Sequence, residues 1–545
     1  MKKHIVYLLA ICTLFACDYE KVNTNLYGIT DEDTKMGGLA YGGPLMNMQQ
    51  LVVPIGSPSS TTGPGNDLQN TDLISSGNYI GYFGNNNNWN FNTEANWNFV
   101  DSRMSYAMKN FYSKLFLSWN EINKQVNKSE DPYDQQVLAI ANIIKITGWL
   151  RATDVFGPLV YTKAGDGDIA PKLDSQEIVY KAMLKDLAEA VKILQKGSGN
   201  ILSEYDLIYN GDTKKWVKLA NSLMLRMGVR VHFKDEALAR EYIALALDPA
   251  SGGVIEKRDE EAKIQYSDKM PLLNSMLASV DEYGETRMGA TIWSYLDGYG
   301  DPRIQSYFRK GVYLDEEGYY PVAPTNEMSK GTGPNTAYFA AKPKVEAHSP
   351  LFWLRASEVS FLRAEAALYG LSGGDAKTYY EEGVRLSFEE NGVSGADAYL
   401  QKTSLPSDLT RSDYKYGYRR YSCNLSVQNT SPRWDDFNSG SLASRTEQQL
   451  QKIITQKYLA LYPNAVEAWT EYRRTGYPFL MKPFDKDAAG RIGAAADVVT
   501  PERFRFAPSE YSTNPNMSLI PGLLGGEDNG ATRLWWVRND RPKQP

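Results

Sequence analysis

Residues 349–391 read SPLFWLRASEVSFLRAEAALYGLSGGDAKTYYEEGVRLSFEEN, and this stretch decides the fold. In its first half, apolar or small residues recur at steps of three and four, which is the helical period. These residues are Phe352, Ala356, Val359, Leu362, Ala366 and Tyr369. Ser349 can cap this helix, and Pro350 suits its first position. Gly370 suits a left-handed helix end, and Gly373-Gly374 predicts a tight turn before a second helix.

The second half of this stretch continues the helical period with Tyr379, Val384, Leu386 and Phe388. A helix pair of this size resembles one tetratricopeptide unit of roughly 34 residues, which must stack on others to bury its faces. Helical periods mark three further pairs and leave three irregular inserts. The four pairs lie near 133–196, 213–247, 349–391 and 446–475, and the inserts lie near 37–101, 249–348 and 392–444. We therefore expect a mostly α fold with a loop-rich face, where binding sites tend to lie.

The composition excludes several classes of protein. The 545 residues are 42% hydrophobic and 12% aromatic, which is typical of a globular chain with a large core. The net charge of −6 and the absence of a basic run argue against nucleic-acid binding. Three histidines and three cysteines make a zinc site improbable and rule out a disulfide framework. No phosphate-binding, nucleophile-elbow or dinucleotide motif occurs, so we expect no cofactor.

The first seventeen residues, MKKHIVYLLAICTLFAC, resemble a bacterial lipoprotein signal. Lys2 and Lys3 precede an apolar run that is too short to span a bilayer as a mature helix. The run ends in Leu14-Phe15-Ala16-Cys17, so we expect cleavage before Cys17 and lipidation of its thiol. Several acyl chains would anchor the protein stably. This predicts a signal peptide over 1–16, a tether over 17–36 and one body over 37–545; the alternative is an ordinary leader.

Aromatic and asparagine residues alternate between Tyr79 and Phe99. An aromatic ring can stack on the apolar face of a pyranose, and an Asn amide can both donate to and accept from sugar hydroxyls. We expect Trp293 and Tyr299, from the insert before the third helix pair, to lie on the same face. The candidate ligand-binding residues are Tyr79, Tyr82, Trp89, Trp97, Trp293, Tyr299, Asn66, Asp72, Asn88 and Asn96. The alternative is a surface loop held by its aromatic side chains.

Charged residues of the helices have structural interpretations. Arg355 and Glu358 stand three apart and can pair on one helix, and Glu365 can link neighbouring helices. A catalytic carboxylate pair is the alternative, since glycosidases place two carboxylates across a sugar. Residues 165–168, GDGD, resemble the start of a calcium loop, but no closing Glu follows. We therefore expect neither catalysis nor a bound metal.

Six segments resemble, in order, motifs of the SusD/RagB family of outer-membrane nutrient-binding lipoproteins. They are Trp149–Tyr161 (WLRATDVFGPLVY), Trp216–Arg230 (WVKLANSLMLRMGVR), Tyr295–Arg303 (YLDGYGDPR), Leu354–Ala367, Ile454–Pro478 (ITQKYLALYPNAVEAWTEYRRTGYP) and Arg533–Trp536 (RLWW). Each signal is modest alone, but together they span nearly the whole chain behind a lipoprotein leader.

The resemblance implies a SusD-like fold, with four tetratricopeptide-like units wrapped by a less regular ligand-facing subdomain. It also implies a partner, a SusC-like TonB-dependent outer-membrane channel that the lipoprotein caps as a lid, and a position on the exterior of the outer membrane. Ligands of the family are mostly glycans, with a peptide-binding branch. Capture of an oligosaccharide without catalysis is the expected function; peptide capture, a helical scaffold without a small ligand, and a hydrolase are the alternatives.

Overall fold

A computed structural model describes residues 39–57, 62–85, 94–197, 199–268, 270–313, 315–325, 339–411, 421–439, 441 and 443–544. The predicted mostly helical fold is confirmed. Within these residues, twelve α-helices contain eight or more residues. They are α1 Leu39–Val52, α2 Asp101–Met108, α3 Lys114–Val126, α4 Pro132–Phe156, α5 Gln176–Lys196, α6 Thr213–Val231, α7 Glu236–Leu247, α8 Ala290–Gly298, α9 Ala356–Leu368, α10 Ala376–Glu390, α11 Arg445–Leu461 and α12 Ala465–Thr475.

The long helices form a continuous stack around one apolar core. Helix α1 packs against α3 and α4, and each helix from α4 to α7 packs against the next. Helix α9 contacts α6, α10 and α11, and α11 contacts α12, so the four predicted helix pairs all occur as packed pairs. Side chains cap most of these helices by accepting a hydrogen bond from a first-turn N–H. The capping residues are Asp131, Ser175, Asp212, Asp235, Asp375, Ser444 and Asn464. The tetratricopeptide-like character of the pairs stays a prediction.

The start of the third pair differs from the prediction. The helix does not begin at Ser349 and Pro350, because residues Leu351–Leu354 form strand β8 and α9 begins at Ala356. Strand β8 pairs antiparallel with β2, Ala262–Ile264, and buries Leu351, Trp353 and Leu354. Pairing with β2 therefore stabilises the apolar run more than a helix start would. The helical period of the sequence gives no information about this contact with a distant segment.

Among the described residues the strands are short, and all but β8 lie in the irregular inserts. Besides β2 and β8 they are β1 Phe83–Asn85, β3 Thr286–Met288, β4 Phe308–Arg309, β5 Gly311–Tyr313, β6 Glu316–Gly318, β7 Lys342–Pro343, β9 Leu409–Arg411 and β10 Tyr421–Cys423. The antiparallel pairs are β1 with β3, β4 with β7, β5 with β6 and β9 with β10. The N–H of Met288 donates to the carbonyl of Ala341 at 2.8 Å, which sets β3 beside β7.

The first insert is more helical than the sequence predicts. Residues 37–101 contain α1, a short helix over Thr62–Leu68, a π-helix over Gln69–Ser76 and one further turn over Gly77–Tyr79. These Gly- and Pro-rich segments have low helix propensity, but α1 packs against α3 and α4, and packing overrides propensity. The leader, Cys17 and the predicted tether lie outside the described residues. No helix among those described is long and apolar enough to cross a membrane.

Candidate functional site

An open cleft of about 670 Å³ lies between the first insert, helix α2 and the second insert. The short helix Thr62–Leu68 with the first residue of the π-helix, helix α2 and the residues before β3 form its walls. The lining residues are Asn66, Gln69, Ser102, Arg103, Tyr106, Tyr283 and Glu285. Two half-buried tyrosines, two amides, a guanidinium and a carboxylate thus face one space. This set offers both ring faces and hydrogen-bonding groups, which a carbohydrate requires.

Ion pairs and hydrogen bonds hold the polar walls of the cleft in place. Arg103 donates from Nε and Nη2 to the buried carboxylate of Glu94 at 2.9–3.0 Å. Gln69 donates to Glu285, and Tyr106 donates to Asp67. Burial and the Asp67 carboxylate raise the pKa of Tyr106 to about 12, so its hydroxyl stays protonated at neutral pH. The walls are therefore preorganised, which lowers the entropic cost of binding.

The segment between Asn85 and Glu94, which we name the asparagine-tryptophan loop, has both of its ends at this cleft. Asn85, where the described chain stops before the loop, pairs with Thr286, the neighbour of Glu285. Glu94, where the described chain resumes, binds Arg103 of the cleft wall. Trp89 and Asn88 lie in the loop itself, outside the described residues. The structure thus brings the loop ends to a cleft that also contains Asn66, one of the predicted ligand-binding residues.

Four predicted aromatic contacts are buried in the core instead of facing a ligand. They are Tyr79, Tyr82, Trp97 and Tyr299, each at most 3% exposed. The Tyr79 hydroxyl donates to the carbonyl of Glu94 at 2.6 Å, and its ring packs on Trp469. The Tyr82 hydroxyl donates to the carbonyl of Tyr458, and that of Tyr299 donates to the carbonyl of Thr430. These rings have no face available to a sugar, so the structure assigns them to packing.

The remaining predicted residues divide between the core and the surface. Asp72 is buried and forms an ion pair with Arg151 at 2.6 Å, and Asn96 is fully buried. Trp293 is half-buried on α8 and does not line the cleft. Asn66 is exposed and does line it. Of the described candidates, Asn66 is therefore the one that the structure places in the cleft.

The helical carboxylates belong to a buried charge network. Glu358 accepts from Nε and Nη2 of Arg226 at 2.7 and 2.8 Å, so the predicted pairing of Glu358 with Arg355 is wrong. Arg355 instead lies 3.8 Å from Glu390. Glu365 links α9 to α12 as predicted, through Arg474. Glu358 and Glu365 are each neutralised by a buried arginine, an arrangement that holds helices together. No cluster of metal-ligating side chains occurs among the described residues.

Sequence reasoning missed most of the cleft. Arg103 and Tyr106 lie on α2, outside the predicted inserts and helix pairs. Tyr283 and Glu285 lie in an insert without periodicity. No local pattern marks these four residues, because they come together only in the folded chain.

The family model described as SusD-like, for SusD and RagB outer membrane lipoproteins, matches residues 21–537. The chain belongs to this family. The match covers the helix stack, the strands and the cleft alike. The resemblance carried by the six sequence motifs is thereby confirmed, and with it the SusD-like fold.

Solved structures agree with the family. The structure of BT1043 is 65% identical over 93% of this chain and 100% of that one, with a TM-score of 0.90. A SusD homologue from Bacteroides vulgatus is 30% identical over 94% of this chain and 100% of its own, with a TM-score of 0.82. A chitin-binding SusD homologue from Flavobacterium johnsoniae is 30% identical over 92% and 98%, with a TM-score of 0.78. A comparison with curated protein sequences gives no significant match.

Proposed function

We propose that this SusD-like lipoprotein captures an oligosaccharide at the outer membrane and passes it to a SusC-like TonB-dependent channel, without catalysing a reaction. The single observation that carries the proposal is the cleft beside both ends of the asparagine-tryptophan loop. A site of about 670 Å³ lies in the range of small-molecule pockets. The chitin-binding relative supports a saccharide as the ligand class.

The cleft offers the contacts that a saccharide needs. Tyr106 and Tyr283 provide ring faces for the apolar side of a sugar, and Asn66 and Gln69 provide amides for its hydroxyls. Trp89 and Asn88 of the loop, and Trp293 of α8, remain proposed contacts of a longer ligand. Lipidation of Cys17 would anchor the protein, and the irregular inserts would face the cell exterior while the helix stack faces the channel.

Calorimetric titration of the full-length protein in detergent tests the ligand class. Panels of neutral oligosaccharides, acidic oligosaccharides and peptides are titrated separately. Heat with saccharides supports the proposal, whereas heat with peptides alone would show that the ligand is a peptide.

A parallel assay for new reducing ends tests the absence of catalysis. Release of shorter sugars would contradict that part of the proposal. Co-purification with a TonB-dependent channel from solubilised outer membranes tests the partner.

A further inference from the structure

Three cationic side chains lie on neighbouring short strands beside the cleft. Arg309 of β4 is in register with Lys342 of β7, and β7 lies beside β3, which carries Arg287. We name Arg287, Lys342 and Arg309 the cationic row. Like charges that face one another across strands destabilise a sheet. The row therefore has no evident benefit for folding.

Arg287 is the buried member of the row. It is 3% exposed, and its Nη1 donates to the carbonyl of Thr286 at 2.9 Å. Its Nε has no hydrogen-bond partner among the described residues. Arg287 therefore adds its charge to the row from beneath the surface, whereas Lys342 and Arg309 are the members that a ligand can reach.

Carboxylates do not balance the charge of the row. Asp281 lies 2.9 Å from Arg309, with both side chains about two-fifths exposed, and Glu285 is the other carboxylate acting on Arg287. Burial, together with Arg309, lowers the pKa of Arg287 to about 10 although Asp281 opposes the change. Burial has the largest effect on Lys342 and lowers its pKa, and the positive charge of Arg287 lowers it further. Within the described part of the chain, the three cations of the row thus face two carboxylates.

The row borders the proposed saccharide cleft. Glu285 lines the cleft, and Arg287 follows it by two residues, at most about 7 Å along the chain. Opposite Arg287 stands Gly84 of β1, one residue before Asn85, where the chain enters the asparagine-tryptophan loop. A ligand that extends from the cleft along β3 would reach the row next.

We propose that the cationic row binds an anionic group, a carboxylate or a sulfate ester, on the oligosaccharide that occupies the cleft. This inference rests on the proposed saccharide function. Arginine forks match both anions through two parallel N–H donors, and such charge-assisted bonds are stronger than neutral ones. The ligand class then narrows from oligosaccharides in general to acidic ones.

The first test compares neutral tetrasaccharides with the same tetrasaccharides carrying one uronate or one sulfate ester, by calorimetry on the full-length protein. We expect the acidic ligand to bind at least about tenfold more tightly, which corresponds to the free energy of one hydrogen bond to a charged group.

Variants of the row are compared with the same ligands. Arg309→Gln and Lys342→Gln should each weaken acidic-ligand binding about tenfold and leave neutral-ligand binding unchanged. Lys310→Gln is the matched control, since Lys310 lies next to Arg309 but over the ring of Tyr319, and it should change neither.

A second test needs no saccharide. Inorganic sulfate should raise the thermal midpoint of the wild type more than that of the Arg309→Gln/Lys342→Gln double variant, with chloride at equal ionic strength as the reference. Sulfate stabilises folded proteins in general because it is excluded from their surface, and comparing the two proteins cancels this general effect. The double variant should fold at least as stably as the wild type, because it relieves like-charge repulsion. Equal sulfate responses would overturn the site.

The two proposals fail in different ways. Equal affinity for neutral and acidic saccharides would refute the cationic row and leave the proposed function standing. No heat with any saccharide would refute the proposed function, and with it the acidic ligand. Tighter binding of the sulfate ester than of the uronate, or the reverse, identifies which anion the row accepts and supports the inference either way.

Discussion

Arg474 of α12 holds both carboxylate oxygens of Glu365 on α9, with distances of 2.6 and 2.7 Å from Nη1 and Nη2. Both side chains are buried, and Nε2 of His232, just after α6, lies 3.0 Å from the same carboxylate. Arg474 also reaches Glu471 at 2.7 Å. Three of the four helix pairs thus meet at one carboxylate, which fixes how the stack is arranged.

Breaking this pair should be costly. We expect Arg474→Ala to lower the free energy of unfolding by about 3–5 kcal/mol, because it leaves the carboxylate of Glu365 buried without its main cation. Urea unfolding followed by circular dichroism measures the change. Arg385→Ala is the control, since Arg385 pairs with Glu381 on an exposed helix face and should cost less than about 1 kcal/mol. A loss of similar size in both variants would contradict the role given to Arg474.

The stability should also depend on pH through Glu390. Burial, opposed by Arg355 and reinforced by Glu261, raises the pKa of Glu390 from 4.5 to about 8. Between these values the folded protein binds more protons than the unfolded chain, so the free energy of unfolding falls as pH rises, by up to about 1.4 kcal/mol per unit. Glu390→Gln should flatten this fall, as seen in unfolding midpoints from pH 5 to 9. The exposed neighbour variant Glu389→Gln should leave it unchanged.

The sequence was informative wherever local patterns and packing agree. The helical period predicts α9 and α10 because Val359, Leu362 and Val384 all face the core. It misplaces the start of α9, since β8 is stabilised by a strand nearly ninety residues earlier. It also treats 37–101 as irregular, although α1 is held by contacts with α3 and α4. Interactions between distant segments account for both errors.

The candidate site was less predictable than the fold. Composition marks a segment rich in aromatic residues, but it cannot tell the buried ring of Tyr79 from a ring that faces solvent. Asn66 was predicted as a polar partner of the aromatic residues, and it lines the cleft. Tyr106 and Tyr283 were missed because they meet only in the folded chain. A binding cleft forms only when distant segments come together, whereas a helix is encoded within a single segment.

Close packing of α9 against α10 should depend on Gly383. A methyl group at this position would lie 2.8 Å from the ring of Phe361, too close for the buried helices to keep their separation. We expect Gly383→Ala to lower the free energy of unfolding by about 1–3 kcal/mol in urea titration. Gly43 lies in α1 with open space around the same position, so Gly43→Ala should be neutral or stabilising by about 0.5–1 kcal/mol. Equal effects would argue against a packing role.

Ligand binding should distinguish cleft tyrosines from core tyrosines. Tyr283 lines the cleft, so Tyr283→Ala should weaken saccharide binding about tenfold by removing a ring face, with little change in the thermal midpoint. For the buried Tyr79 we expect the opposite result, a change in stability without a change in affinity. Tyr79→Phe removes its hydrogen bond to the carbonyl of Glu94 and should lower stability by about 1 kcal/mol while the affinity stays the same. Calorimetry gives the affinity and thermal unfolding the stability. If Tyr79→Phe weakened binding and Tyr283→Ala did not, the ligand would occupy a site other than this cleft.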